Sequence, residues 1–122
     1  MIDFQNASFI KMKEDSGLIP LVTPLLVADE KVIGAYKAMR DGVVFTSKRI
    51  IAVNVQGMTG KKKDFTSLPY SKIQAFSIET SGVFDMDSEL ELYFSGLGKV
   101  KFEFAAHCNI TQIQAIISGY VL

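Results

Sequence analysis

The chain has 122 residues, 48% of them hydrophobic and 21% charged, and its thirteen basic and thirteen acidic residues cancel to a formal net charge of 0. That length holds one core without disulfides or metal; the charge balance excludes the basic excess of a nucleic-acid footprint; and the single cysteine, Cys108, excludes an intramolecular disulfide. A mean hydropathy of +0.24 with no net charge leaves little repulsion between copies, which favours self-association.

The start, MIDFQNASFIKMKED, has no basic region followed by an apolar one, so no signal peptide is predicted. Residues 3–15 are predicted as a short helix, with Asp3 as N-cap and Phe9, Ile10 and Met12 on an uneven apolar stripe. Leu18 to Val27 is the most apolar run, about half the length a membrane helix needs. Pro20 and Pro24 interrupt it, and it reads as an extended connector. The expectation is a cytoplasmic protein in which residues 1–28, helix and connector, pack outside a barrel formed by 29–122, all within one domain.

From Lys31 the period becomes two, and neither face of 31–39 is purely polar, so something is expected to cover its second side. Asp41-Gly42 reads as a tight turn leading into Val43 to Phe45. Thr46-Ser47-Lys48-Arg49 then joins that run to Ile50 to Val53 as an antiparallel hairpin. A glycine-bracketed turn at 56–60 precedes Lys61 to Thr66, a corner falls at 67–70, and a strand follows from Ile73 to Thr80. Residues 81–87 are a loop. The segments 89–94 and 99–104 alternate cleanly and form a hairpin whose outer faces carry opposite charges. Ile110, Ile113, Ile117 and Tyr120 then recur at helical spacing, with Asn109 and Gln112 in a capping-box pattern. About seven antiparallel strands followed by one amphipathic helix predict a mainly β fold. It is a bent sheet or partly open barrel whose helix plugs one end.

Four stretches carry a closer likeness: AYKAMRDGVVFTSKRII (35–51), QGMTGKKKDFTSLPYSKI (56–73), FSIETSGVFDMDSELELYFSG (76–96) and the closing helix. Through them the chain resembles the bacterial pleckstrin-homology-like (PH-like) domain family, formerly a family of unknown function, over almost its whole length. The resemblance implies a PH-like barrel and a habit of forming ring-like homo-oligomers in cytoplasmic bacterial proteins. It implies no enzymatic activity and supplies no substrate.

The residues offer few candidate sites. Lys61, Lys62 and Lys63 form a possible anion or lipid contact, worth about 1 kcal/mol per lysine near an anionic membrane. The spaced basic signature of eukaryotic pleckstrin-homology domains is missing around Asp41-Gly42, where Arg40 sits beside an acid, so a solvated turn is the plainer reading. Gly57 to Lys61 lacks the glycine spacing and the Ser/Thr of a phosphate loop. Asp85-x-Asp87-x-Glu89 has Leu90 where a calcium loop needs glycine. With Glu79 and Glu91 these acids read as the wet face of a strand, suited to pair with Lys61–Lys63 of another copy. His107 and Cys108, adjacent on a strand, point to opposite faces and form neither a nucleophile–base pair nor a zinc site. Cys108 is expected to be a small buried residue near the helix start. No catalytic, cofactor-binding or metal residue is assigned, and no enzyme is predicted.

Apolar residues at turn tips complete the set. Met58, Val83 and Phe84, with Asp85 and Asp87, are the candidate interface, and Phe84→Asp is expected to weaken assembly while the monomer stays folded. The leading expectation is a non-enzymatic protein-interaction module that assembles with itself. The alternative is a peripheral binder of anionic lipid through Lys61–Lys63, and a third reading, a small-ligand carrier, requires a roomy apolar pocket at the barrel mouth.

Overall fold

The computed structural model describes residues 1–6, 9–80, 87–106 and 108–122, with the side chain of Ile110 left undescribed. Two antiparallel sheets form the body. The first runs in chain order through β1 (Lys13–Glu14), β2 (Val32–Lys37), β3 (Asp41–Thr46), β4 (Arg49–Gln56) and β5 (Lys62–Pro69). The second holds β6 (Ile73–Glu79), β7 (Ser88–Phe94) and β8 (Gly98–Phe104). A short helix, α1 (Ile19–Val22), precedes the long strands, and α2 (Ile110–Val121) follows them. The mainly β, PH-like architecture expected from the sequence is present, and the sheet is not closed.

The clean alternation in β7 and β8 has the expected result. Leu90, Leu92, Phe94, Val100, Phe102 and Phe104 turn inward and are buried, while the residues between them line the outer face. α2 inserts Ile113 and Ile117 into the same core; complete burial of such a side chain contributes about 1.5–3 kcal/mol. Its start is fixed by the Asn109 side chain, which accepts a hydrogen bond from the Gln112 N–H at 3.1 Å. Near its end Tyr120 stacks on Tyr70, with ring centroids 5.1 Å apart.

The N-terminal segment departs from expectation. No described residue of 3–15 is helical; the short helical run instead spans Ser16 to Leu25, overlapping the stretch read as an extended connector. Proline breaks a helix only where an N–H is needed. Pro20 sits in the first turn of α1, and Pro24 opens the 3-10 turn after it, where the missing donor costs nothing. Asp15 starts the run by accepting a hydrogen bond from the Gly17 N–H at 2.8 Å. Leu18 and Val22 pack on Ala35, Val44, Ile51 and Val53. The run is therefore the cover that the half-apolar strand at 31–39 called for, and β3 is buried along its whole length.

Asp41-Gly42 is likewise not the turn. Both residues belong to β3, and the tip is Met39-Arg40, closed by a hydrogen bond from the Ala38 N–H to the Asp41 carbonyl at 2.7 Å. Gly42 answers to packing instead: a Cβ there would lie 2.5 Å from Leu18 Cδ1 and 2.9 Å from the Tyr36 carbonyl oxygen.

The two sheets meet differently on their two sides. On one side, Met12 donates to the Glu103 carbonyl at 3.0 Å and accepts from the Ala105 N–H at 2.9 Å, and Phe9 accepts from the Glu103 N–H at 2.8 Å. The chain then pairs with β2 through β1, so residues 9–14 bridge both sheets. On the other side, no main-chain hydrogen bond joins β5 to β6 among the described residues. Among the described residues neither strand has a second strand partner; beside β5 the Ile2 N–H donates to the Thr66 hydroxyl at 3.1 Å and the Met1 amino group pairs with Asp64 at 2.9 Å.

Candidate functional site

A groove of about 1020 Å³ lies at the end of the first sheet where the tips of the β2–β3 and β4–β5 hairpins stand side by side. Arg40 holds the tips together: its guanidinium donates to the Gly57 carbonyl, and its own carbonyl accepts from the Val55 N–H at 3.1 Å. Beneath them Asp41 is buried and accepts from the Asn54 amide. Lys11, Lys13, Lys37 and Arg40 line the groove. Lys13 and Lys37 are direct cross-strand partners of β1 and β2. Lys11 is held at φ 53, a conformation that usually falls to glycine or asparagine. None of these four makes an ion pair with a carboxylate among the described residues. Met39 and Met58, one on each hairpin tip, are fully exposed.

The outer face of the second sheet has the opposite character. Register places Glu79 of β6 opposite Glu89 of β7, and Glu89 opposite Glu103 of β8. Three carboxylates therefore form one row across three strands. Like charges directly opposite one another are destabilising. Burial pushes the Glu103 carboxyl above its ordinary value, and the hydrogen-bonded Asp87 and the charges of Asp87 and Glu89 push it further. Lys101 reaches the row at 3.9 Å from Glu89, but it lies nearer Glu91, at 3.5 Å. The expected opposite charges on the β7–β8 hairpin thus hold for Glu91 with Lys99 and Lys101, and they give way to like charge at the Glu79 end.

A third charged group is structural. Glu30, read from the sequence only as part of a polar corner, is 8% exposed and accepts from Arg49 Nε at 2.9 Å and Nη2 at 3.0 Å. It also accepts from the Thr46 hydroxyl at 2.6 Å and the Val27 N–H at 3.1 Å. Burial raises its pKa, but the hydrogen bonds and the arginine charge outweigh that and hold it at about 2. Arg49 also donates to the Leu25 carbonyl at 2.8 Å, so this cluster ties the end of the N-terminal cover to the β3–β4 turn.

Of the residues singled out in the sequence, Met58 is exposed at its tip as expected, and Lys61 and Lys62 are exposed beside it. Lys63 is half-buried and donates to the Gly60 carbonyl at 3.0 Å. Asp87 is half-buried at the head of β7. Val83, Phe84 and Asp85 lie outside the described residues, as does His107. Cys108 is half-buried in the link before α2, where its thiol faces the Met12 carbonyl at 3.3 Å; burial pushes that thiol up, away from nucleophilic use. The groove lysines went unnoticed because they are 24 residues apart in sequence (Lys13, Lys37) and meet only through the β1–β2 register. Among the described residues no helix is long and apolar enough to cross a membrane.

The fold agrees with what the chain is similar to. A family profile described as "Bacterial PH domain" matches residues 3–121. The chain belongs to that bacterial pleckstrin-homology family. It is 47% identical over 97 residues to the uncharacterized protein YjqA of Bacillus subtilis, covering 78% of each chain. Over 97 residues it is also 35% identical to the uncharacterized protein YozO of the same organism, covering 80% of this chain and 83% of that one. A crystal structure of a DUF1696 family protein with a pleckstrin-homology domain from Shewanella loihica superposes with TM-score 0.80 at 36% identity, over 93% of this chain and 99% of that one. The pleckstrin homology domain of Shewanella amazonensis gives TM-score 0.67 at 41% identity, over 96% and 93% of the two chains.

Proposed function

We propose that this protein is a non-enzymatic interaction module that assembles with copies of itself. The observation that carries the reading is the pair of edges, β5 and β6, that among the described residues lack a strand partner at the seam between the sheets. An unpaired edge is a row of unsatisfied N–H and C=O groups, and small proteins normally blunt such edges with proline, a bulge or a covering segment. Here residues 9–14 close the far seam with main-chain hydrogen bonds, whereas at the near one Met1 and Ile2 hold only the Asp64 and Thr66 side chains of β5, and Pro69 and a bulge at Ile73–Ala75 interrupt one end. A protein with zero net charge has little to keep those edges apart. Edge-to-edge joining of β5 of one copy to β6 of the next is a head-to-tail contact, which closes into a ring when the rotation allows.

Light scattering after size exclusion, over a range of dilutions and salt concentrations, tests this directly. The expected result is a discrete multiple of 13.5 kDa that survives dilution. A monomer at every concentration overturns the reading.

A further inference from the structure

α2 closes one end of the body, where Tyr120 stacks on Tyr70 and the Tyr70 hydroxyl donates to the Thr46 carbonyl at 2.8 Å. The hairpin tips lie at the other end of β3, and the groove there crosses β1, β2, β3 and β4. Three strand spacings make that crossing about 14 Å, the reach of about four extended residues. Its two halves differ. Over β1 and β2 it holds Lys11, Lys13 and Lys37, with Lys13 directly opposite Lys37. Like charges in that register oppose folding, and Lys11 at φ 53 adds backbone strain. Neither cost is offset within the chain. None of the three pairs with a carboxylate among the described residues, and Glu103 takes the main-chain N–H of Lys11. Over β3 and β4 the charges are already engaged: Asp41 accepts from the Asn54 amide, and the Arg40 guanidinium donates to the Gly57 carbonyl. Val55 and Gln56 line the rest, and Met39, 94% exposed, stands at the rim.

We propose that this groove binds a short acidic segment of another protein, with carboxylates on Lys11, Lys13 and Lys37 and an apolar side chain against Val55 and Met39. Length and polarity select that occupant. A compact phosphate reaches the lysines and leaves the other half empty. A polyphosphate or nucleic-acid strand sets its charge beside Val55 and the Asp41 carboxylate, and a membrane offers a flat face to cations that line a hollow. Carboxylates over the lysines supply the counter-charge the chain lacks and fix the direction in which the segment lies. Methionine, unbranched and polarisable, adapts to varied apolar side chains. β3 and β4 separate the lysine pair from the β5 edge, so a monomer and an edge-paired copy present it alike.

Fluorescence anisotropy of a labelled peptide, glutamates in one half and leucines in the other, tests this on the full chain. The expected result is saturable binding that Lys13→Gln/Lys37→Gln weakens about tenfold, the loss of two exposed charge contacts. Met39→Ser is expected to weaken it as well. Lys48→Gln/Lys72→Gln removes the same charge at the end closed by α2 and is expected to leave binding unchanged. If the groove variant does not fold, Lys37→Gln alone replaces it, with an expected loss of about threefold. No saturable binding to the parent chain, or equal losses in the two lysine pairs, overturns the proposal. So does an all-glutamate peptide or inorganic polyphosphate that binds as tightly, since neither has an apolar half. Salt-sensitive pelleting on anionic phospholipid vesicles, lost in the groove variant while the peptide stays unbound, overturns it in favour of a membrane. Light scattering on the same samples keeps the two readings apart, because a monomer that binds the peptide overturns self-assembly alone.

Discussion

Glu30 beside the first sheet and Glu103 on the second are the same residue in opposite circumstances. Glu30 is enclosed by Arg49, Thr46 and the Val27 N–H and is held at about 2, whereas Glu103 is partly buried among other acids and is pushed up. The difference follows from layering. The first sheet is covered on both faces, by the core on one side and by residues 16–25 on the other, so a charge at its margin must be fully compensated. The second sheet keeps its outer face in water, where solvent moderates the repulsion between uncompensated charges.

The contrast is broken most severely by Arg49→Met. It leaves the Glu30 carboxylate buried without its cation and is expected to cost about 3–5 kcal/mol, read as a lowered urea midpoint at pH 7. The pH dependence has a definite sign. Because Glu30 titrates below its ordinary 4.5, its contribution is complete above pH 4.5 and is lost as pH falls toward about 2. Glu30→Gln should flatten the acid limb of stability over that window; an unaltered limb would show that Glu30 is not its source.

Ile51→Ala comes next. Ile51 is fully buried between the first sheet and its helical cover, and its truncation should cost about 2–4 kcal/mol in chemical unfolding. The same experiment with Ser77→Ala, on the wet face of the second sheet, should register less than about 0.5 kcal/mol. Gly42→Ala is smaller, about 2 kcal/mol, because the new methyl must displace Leu18 or the Tyr36 carbonyl. A stability equal to the parent's would show that the cover shifts freely on the sheet. The last effect has the opposite direction. Glu103→Gln relieves like-charge repulsion and should raise monomer stability by about 0.5 kcal/mol, the gain shrinking in high salt.

The same layering decided what could be read in the sequence. β7 and β8 have one wet face, so their alternation is plain, and α2 announces itself through Asn109 and the isoleucine spacing. The Thr46–Arg49 hairpin was equally legible. Where a third layer covers the first sheet, alternation blurs; the missing cover had to be inferred from β2 and was then sought in the wrong segment, since prolines at helix starts look like breakers. Asp41-Gly42 misled because glycine marks close approach as well as turns. The groove and the acidic row exist only through register: no spacing along the chain sets Lys13 beside Lys37, or Glu79 in line with Glu103.

The bridge formed by residues 9–14 has a consequence for how the protein is made. Its partners on one side, Glu103 and Ala105, are translated about ninety residues later. At the usual pace of synthesis the hairpins of the first sheet can pair while the ribosome is still at work, since their contacts are local. The bridge must wait for β8. Through that interval the nascent chain carries Phe9 and Met12, buried in the finished fold, with their place beside β8 not yet built. A late contact therefore joins the earliest part of the message to one of its latest, and until it forms Phe9 and Met12 lack their partners.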